Sequence, residues 1–317
     1  MQLKPINQQV VSVVGASSGI GRETALQFPR RGAKVVVSAR RESGLNSLVE
    51  EIGSFGSEAT SIVADVQEFE QVNAIADKTV ETFGRLDTWV HAPAVGLFAT
   101  FDKTTPAESK HVIYVNLVGQ AYGAMAALPH LKREGRGASI HISSMEGRRA
   151  LPYQSAYSTA KHGIEGFVEA MGVELQHDKW PISLTSIKPA VINTPFWNNS
   201  LTKLGVKAAG IRPYYDPKLV ADAIPYAAEH STRDLLVGDA AKALDLLQRI
   251  SPGLPDSLLL LIGFDLQHSS EPKSERHQIT FISLFLNTTE LMETIKPKSY
   301  PAFLMTWIKM PRCNGEH

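Results

Sequence analysis

Ser144, Tyr157 and Lys161 are the side chains of this sequence whose types and spacing could do chemistry together. Tyr157 and Lys161 stand four apart in a stretch with helical patterning, so both fall on one helix face. A cation beside a phenol favours the phenolate and lowers its pKa from about 10. A phenol tuned in that way exchanges a proton with a carbonyl or hydroxyl oxygen near neutral pH. Ser144 ends a short apolar run and can hydrogen-bond the same oxygen as its charge changes. The spacing alone is weak, because Tyr214 and Lys218 repeat it. That copy carries Asp216-Pro217 between the pair, and Leu201 stands before its tyrosine where Ser144 stands before Tyr157.

A second constellation lies near the start. Val10–Val14 reads as a buried strand and runs into Gly15-Ala16-Ser17-Ser18-Gly19-Ile20-Gly21, after which a helical pattern begins. Glycines let a backbone turn sharply and approach a pyrophosphate, and the helix N-terminus offers free N–H groups and a positive dipole end. The next strand ends Val36-Val37-Ser38-Ala39-Arg40-Arg41. In dinucleotide-binding folds that end faces the adenosine ribose; an acid suits the NAD hydroxyl and an arginine suits the NADP phosphate. Ala39 leaves no acid, while Arg40 and Arg41 bring forked donors suited to phosphate. NADP(H) is therefore expected ahead of NAD(H). Asp65, followed by Val66, stands at the end of the third strand and could accept from an adenine amino group.

Positioning these groups requires a regular scaffold. Residues 10–14, 34–38, 61–64, 88–91, 139–143, 183–187 and 235–237 read as strands. Helical segments are expected at about 19–31, 42–54, 68–83, 107–132, 155–179 and 216–230, with Pro29 and Pro225 kinking or shortening two of them. Alternation of this kind predicts an α/β doubly wound parallel sheet of about seven strands, a Rossmann fold, in one domain over residues 1–240. Residues 241–279 are expected to form a helical extension, broken at Pro252 and Pro255, and a polar linker from 268. Residues 280–317 change composition abruptly and are left open as an interaction or lipid-contacting tail, a helical cap, or translation beyond a shifted reading frame.

Composition sets limits. The chain has 317 residues, 43% of them hydrophobic and 20% charged, with Lys+Arg and Asp+Glu both 32. That balance gives no footprint for nucleic acid. One cysteine, Cys313, makes no disulfide framework, and no His/Asp/Glu spacing suggests a metal. The N-terminus lacks a signal-peptide layout, and the apolar run Leu258–Phe264 is too short to span a bilayer. A cytoplasmic protein without an integral membrane span is expected.

Taken together, the glycine loop, Ser144, Tyr157 and Lys161 make the chain resemble the short-chain dehydrogenase/reductase family in its compact single-domain branch, over about residues 10–238. The resemblance implies that Gly15, Gly19 and Gly21 form the pyrophosphate loop, with Ser17, Ser18 and Ile20 beside them. It implies that Asn116, in Val115-Asn116-Leu117-Val118-Gly119, completes a catalytic tetrad and holds a water linking Lys161 to solvent. Lys161 would also bond the nicotinamide ribose. Pro189, Ile192 and Thr194 match the segment that contacts the carboxamide. Val14 and Ala190 depart mildly from the family pattern. The larger departure is His91-Ala92-Pro93-Ala94, where the family carries a sheet-bracing asparagine and a glycine.

The function expected is hydride transfer between NADP(H) and a small-molecule carbonyl or secondary alcohol, with Tyr157 as general acid/base. The departure at 91–94 keeps a second reading open, an NADP(H)-binding sensor or scaffold with little turnover. A nucleotide-sugar epimerase or dehydratase is disfavoured by the short glycine loop. His91, His141 and His162 are expected in structural roles, and Arg148 and Arg149 as solvated loop cations. Phe196, Trp197, Tyr214 and Tyr215 belong to the stretch the family uses as a substrate lid, open to an aromatic substrate or ordinary packing. By resemblance a homodimer or homotetramer forms through the helices at 107–132 and 155–179.

Overall fold

A computed structural model of the protein describes residues 2–272. The chain begins as strict alternation: β1 (Val10–Val14), α1 (Gly19–Arg30), β2 (Lys34–Ala39), α2 (Glu42–Ser54), β3 (Ala59–Val63), α3 (Phe69–Phe83) and β4 (Thr88–His91). A short β5 (Leu97–Phe98) leads to α4 (Pro106–Ile113), α5 (Gly119–Arg133), β6 (Gly137–Ile142), α6 (Ser155–His177) and β7 (Ile182–Pro189). Then come α7 (Phe196–Asn199), β8 (Leu201–Thr202), β9 (Val206–Ala208), α8 (Pro217–Glu229) and β10 (Asp234–Val237). The described chain closes with α9 (Asp239–Ile250), α10 (Gly253–Leu258) and β11 (His268–Pro272).

Seven strands form one parallel sheet in the order β10-β7-β6-β4-β1-β2-β3. The fold is the expected doubly wound one. Helices cover both faces, so central strands bury every residue and read as continuous apolar runs without alternation. One layer packs Phe28, Leu45, Leu48 and Ile224 against the sheet, and the other packs Val72, Ile75 and Leu131 against the face that carries Trp89. The order reverses between β1 and β4. Ligands of such sheets sit at that switch point, outside the carboxyl ends of the strands.

α4 and α5 form one long helix interrupted by a π-turn at Tyr114–Val118, where the Gly119 N–H reaches back five residues to the Tyr114 carbonyl. Thr105 and Glu108 close its start as a reciprocal capping box. Among the described residues this helix, Pro106–Arg133, is long and apolar enough by length and composition to cross a membrane, which the sequence reading did not anticipate; half of its apolar window is buried within the fold. Pro29 lies one residue from the end of α1, whereas α8 continues past Pro225.

The departure at 91–94 has a structural substitute. The Gln120 amide nitrogen on α5 donates to the carbonyls of His91 (3.1 Å) and Ile142 (3.3 Å), bridging the ends of β4 and β6. Its oxygen is paired with His141 Nδ1 at 2.8 Å. A wholly buried amide that satisfies two strands and a ring is costly to lose. Gln120→Leu should lower the unfolding free energy by about 1–3 kcal/mol. The check is urea denaturation, with the midpoint reduced at constant m; an unchanged midpoint would remove the brace from this account.

The extension differs from expectation in two places. α9 ends before Pro252, but Pro255 lies inside α10 rather than breaking it. The stretch from 268, expected as a polar linker, instead begins as β11, antiparallel to β9. The alternatives for residues 280–317 lie outside the described residues.

Candidate active site

The glycine loop leaves β1 at the switch point. Gly15 takes φ +83° and Gly19 φ +55°, conformations that side chains rarely adopt. The N–H groups of Gly15 and Ala16 donate to the Ser38 carbonyl at 2.8 and 3.0 Å, seating the loop on β2. A Cβ at Gly21 would collide with the Gly15 carbonyl, so α1 can approach the turn only without a side chain there. Ser18 caps α1 without a side-chain hydrogen bond. The first-turn N–H groups and the positive dipole end are thereby suited to a phosphate. On these grounds the loop fits a dinucleotide pyrophosphate.

A cavity of ≈ 380 Å³ opens along the carboxyl ends of the strands. It brings together Gly15, Ser17, Ser18, Gly19, Ile20, Gly21, Arg40, Arg41, Val66, Ser144, Tyr157, Lys161, Pro189, Ile192 and Thr194. Two predicted residues stand outside its lining. Asp65 is held by its neighbours: the Arg40 guanidinium is 3.9 Å away, and its Oδ1 accepts from the Gln67 N–H at 3.0 Å. Asn116 is fully buried in the π-turn, and its side chain clamps the Val95 backbone, accepting from N–H and donating to C=O at 2.8 Å each. Both polar atoms of the Asn116 side chain are thus committed to fixing the loop after β4. Ala92 N–H continues the β1 ladder to the Val14 carbonyl, and Pro93 packs against Gly15.

β6 delivers Ser144 and α6 delivers Tyr157 and Lys161. Ser143 is the strand-end residue: its N–H bonds the Ile187 carbonyl and its hydroxyl faces the Lys161 carbonyl at 3.5 Å. Ser144 follows at the mouth of a short turn and hydrogen-bonds the Tyr157 phenol. Lys161 is 1% exposed; its Nζ donates to the Ile142 carbonyl at 2.9 Å and stands 5.3 Å from the Tyr157 ring centroid.

Burial pushes the Tyr157 phenol above its usual value, the Glu146 carboxylate pushes it further, and only the Ser144 hydrogen bond acts downward. Burial also pushes Lys161 down, to about 8, and desolvation is the largest cause for both groups.

Glu146 is the residue that sequence reasoning missed. It lies two positions after Ser144, lines the cavity and is 5% exposed. An acid in an otherwise apolar turn beside the strand-end serines was the available signal.

His91 and His141 stack 6.5 Å apart beneath the site, and burial keeps both neutral by lowering their pKa, His141 to about 3. His162 Nδ1 pairs with the Ser158 carbonyl. Arg148 and Arg149 are not solvated loop cations. Arg148 reaches Asp234 (3.2 Å), Asp245 (3.7 Å) and Glu165 (3.8 Å), while Arg149 pairs with Asp256. Phe196 lies 5.6 Å from the Tyr157 ring, and Trp197 packs against Phe98, Phe196 and Tyr214. The second tyrosine–lysine pair is elsewhere engaged: Tyr214 accepts from the Gly210 N–H and Lys218 binds Asp222.

A doubly wound sheet, a glycine turn at its switch point and a serine–tyrosine–lysine group beside that turn define a dinucleotide-binding oxidoreductase. The family profile described as short chain dehydrogenase matches residues 9–205, and the chain belongs to that family. Relatives agree. The chain is 38% identical over 280 residues to the uncharacterized oxidoreductase YxnA of Bacillus subtilis, covering 88% of this chain and 79% of that protein. It is 31% identical over 249 residues to the putative oxidoreductase SadH of Mycobacterium tuberculosis, covering 76% and 90%. Among solved structures, an alcohol dehydrogenase from Thermococcus sibiricus complexed with 5-hydroxy-NADP superposes with TM-score 0.64 at 25% identity, covering 72% of this chain and 95% of that one. A variant actinorhodin polyketide ketoreductase with NADPH gives 0.65 at 25%, covering 73% and 96%.

Proposed function

We propose that the protein is an NADPH-dependent carbonyl reductase, equally an NADP-dependent alcohol dehydrogenase in reverse, acting on a small-molecule ketone, aldehyde or secondary alcohol. The observation that carries this reading is the convergence of Ser144, Tyr157 and Lys161 on the same cavity as the glycine loop and the Arg40-Arg41 pair. Two structural neighbours hold an NADP-type cofactor, which supports the same choice. Bound NADPH supplies a hydride to the carbonyl carbon. Ser144 donates a hydrogen bond to the substrate oxygen, and Tyr157 passes its phenolic proton to that oxygen as the negative charge develops. The buried Lys161 ammonium favours the resulting phenolate. Phe196, against the Tyr157 ring, and Trp197 line the same cavity, and apolar walls of this kind strengthen such interactions by keeping water away.

The binding-only alternative drew on the His91–Ala94 departure. Gln120 and the Asn116 clamp on Val95 brace the ends of that stretch, which supports the catalytic reading. A cofactor-consumption screen over aldehydes, ketones, steroids and alcohols, run with NADPH and NADH, tests the proposal. Turnover with NADPH is expected. Tight NADPH binding without turnover across the panel would return the sensor reading.

A further inference from the structure

Glu146 occupies an unusual place. Its backbone N–H donates to the Ser144 hydroxyl at 3.1 Å, and its carboxylate accepts the Ser158 hydroxyl at 2.6 Å. Ser158 directly follows Tyr157 on α6. One residue thus joins the Ser144 turn to the tyrosine helix, with its carboxyl buried and lining the cavity. A glutamine or serine could supply the same tie without burying an acid. Burying a carboxyl is expensive unless a cation compensates it closely.

The neighbouring cations are committed elsewhere. Arg148 and Arg149, on the same turn, pair with acids of β10, α9 and α10. Lys188 on β7 pairs with Glu165 of α6 and with Asp234. His162 on α6 is bonded to a backbone carbonyl, and Asp239 and Lys242 of α9 pair with each other in the solvent. The titratable groups left to respond to Glu146 are Tyr157 and Lys161.

We infer that Glu146 is a positioning residue for the tyrosine–lysine pair: its buried carboxyl ties the Ser144 turn to α6 and sets a carboxylate in the cavity that both side chains line. The inference rests on the proposed tyrosine chemistry. Burial pushes Glu146 up to about 8, the value to which Lys161 is pushed down. The carboxylate charge therefore develops as pH rises through the range in which Lys161 would lose its proton. An anion raises the pKa of both a nearby ammonium and a nearby phenol. Reduction needs Tyr157 protonated and Lys161 charged, so both effects extend activity to higher pH.

The test compares pH profiles of kcat/KM for carbonyl reduction by the holoenzyme. Glu146→Gln keeps the acceptor for Ser158 and removes the charge. Its alkaline limb should fall about one pH unit earlier than wild type, and Glu146→Asp should restore the limb even if kcat drops. Limbs that superimpose in wild type and Glu146→Gln overturn the inference, whatever happens to kcat. Should the glutamine variant not fold, Glu146→Ser, which keeps a hydroxyl for Ser158 and carries no charge, reads the same limb: an earlier fall supports the inference, and a limb that superimposes on wild type overturns it. Failure of the underlying reading looks different: Tyr157→Phe would then retain turnover.

Discussion

Tyr157→Phe should lower kcat/KM for carbonyl reduction by about a thousandfold, within the range general acid catalysis contributes, while the fold and NADPH affinity stay close to wild type. The ring is what the structure packs: it lies 5.6 Å from Phe196 and 5.3 Å from the Lys161 ammonium, and both contacts survive the change. Only the phenolic oxygen is lost, and with it the hydrogen bond to Ser144 and the proton for the substrate oxygen. A loss confined to kcat would mark an interaction made in the transition state; a rise in KM alone would mark simple binding. Circular dichroism and NADPH fluorescence titration check the intact scaffold. Full turnover by the variant would end the assignment.

Arg40→Ala should weaken NADPH about 10- to 100-fold and NADH hardly at all. The magnitude follows from a hydrogen bond to a charged group, worth about 1.5–3 kcal/mol, at about 1.4 kcal/mol per decade. Ala39 leaves no carboxylate to grip a ribose hydroxyl, and the nearest acid, Asp65, sits 3.9 Å from the Arg40 guanidinium. Arg41 reaches the Ser17 carbonyl at 3.5 Å and so links the basic pair to the glycine loop. Because Arg40 is partly exposed, the NADPH preference should also shrink as salt rises. Titration of both cofactors at two ionic strengths measures this, and equal losses for NADPH and NADH would exclude a role at the 2′-phosphate.

Much of the scaffold was legible because parallel strands covered on both faces read as unbroken apolar runs. β1, β4 and α2 fall where composition put them, and the other main elements differ by a residue or two at their ends. What escaped has physical causes. β5 and β8 are two residues each, too short for any periodicity, and exist because each pairs with the other. β11 is polar and is held by its partner β9, not by an apolar face. The tyrosine–lysine spacing was visible, but the direction of the tyrosine's titration was not. That direction depends on burial and on Glu146, two features the spacing does not encode. Gln120 looked like one more polar helix residue until two carbonyls and a histidine closed on it.

The pairing of β11 with β9 ties two distant parts of the chain together. β9 follows the Phe196–Trp197 segment that lines the cavity, and the end of the described chain is laced to it. The Ala209 N–H bonds the Gln267 carbonyl, and the buried Gln154 and Gln267 side chains meet at 2.9 Å. Tyr153, held at φ +65°, packs its ring against Phe264 and His268. Parting β9 from the extension therefore means breaking these bonds together, so the two should behave as one cooperative unit.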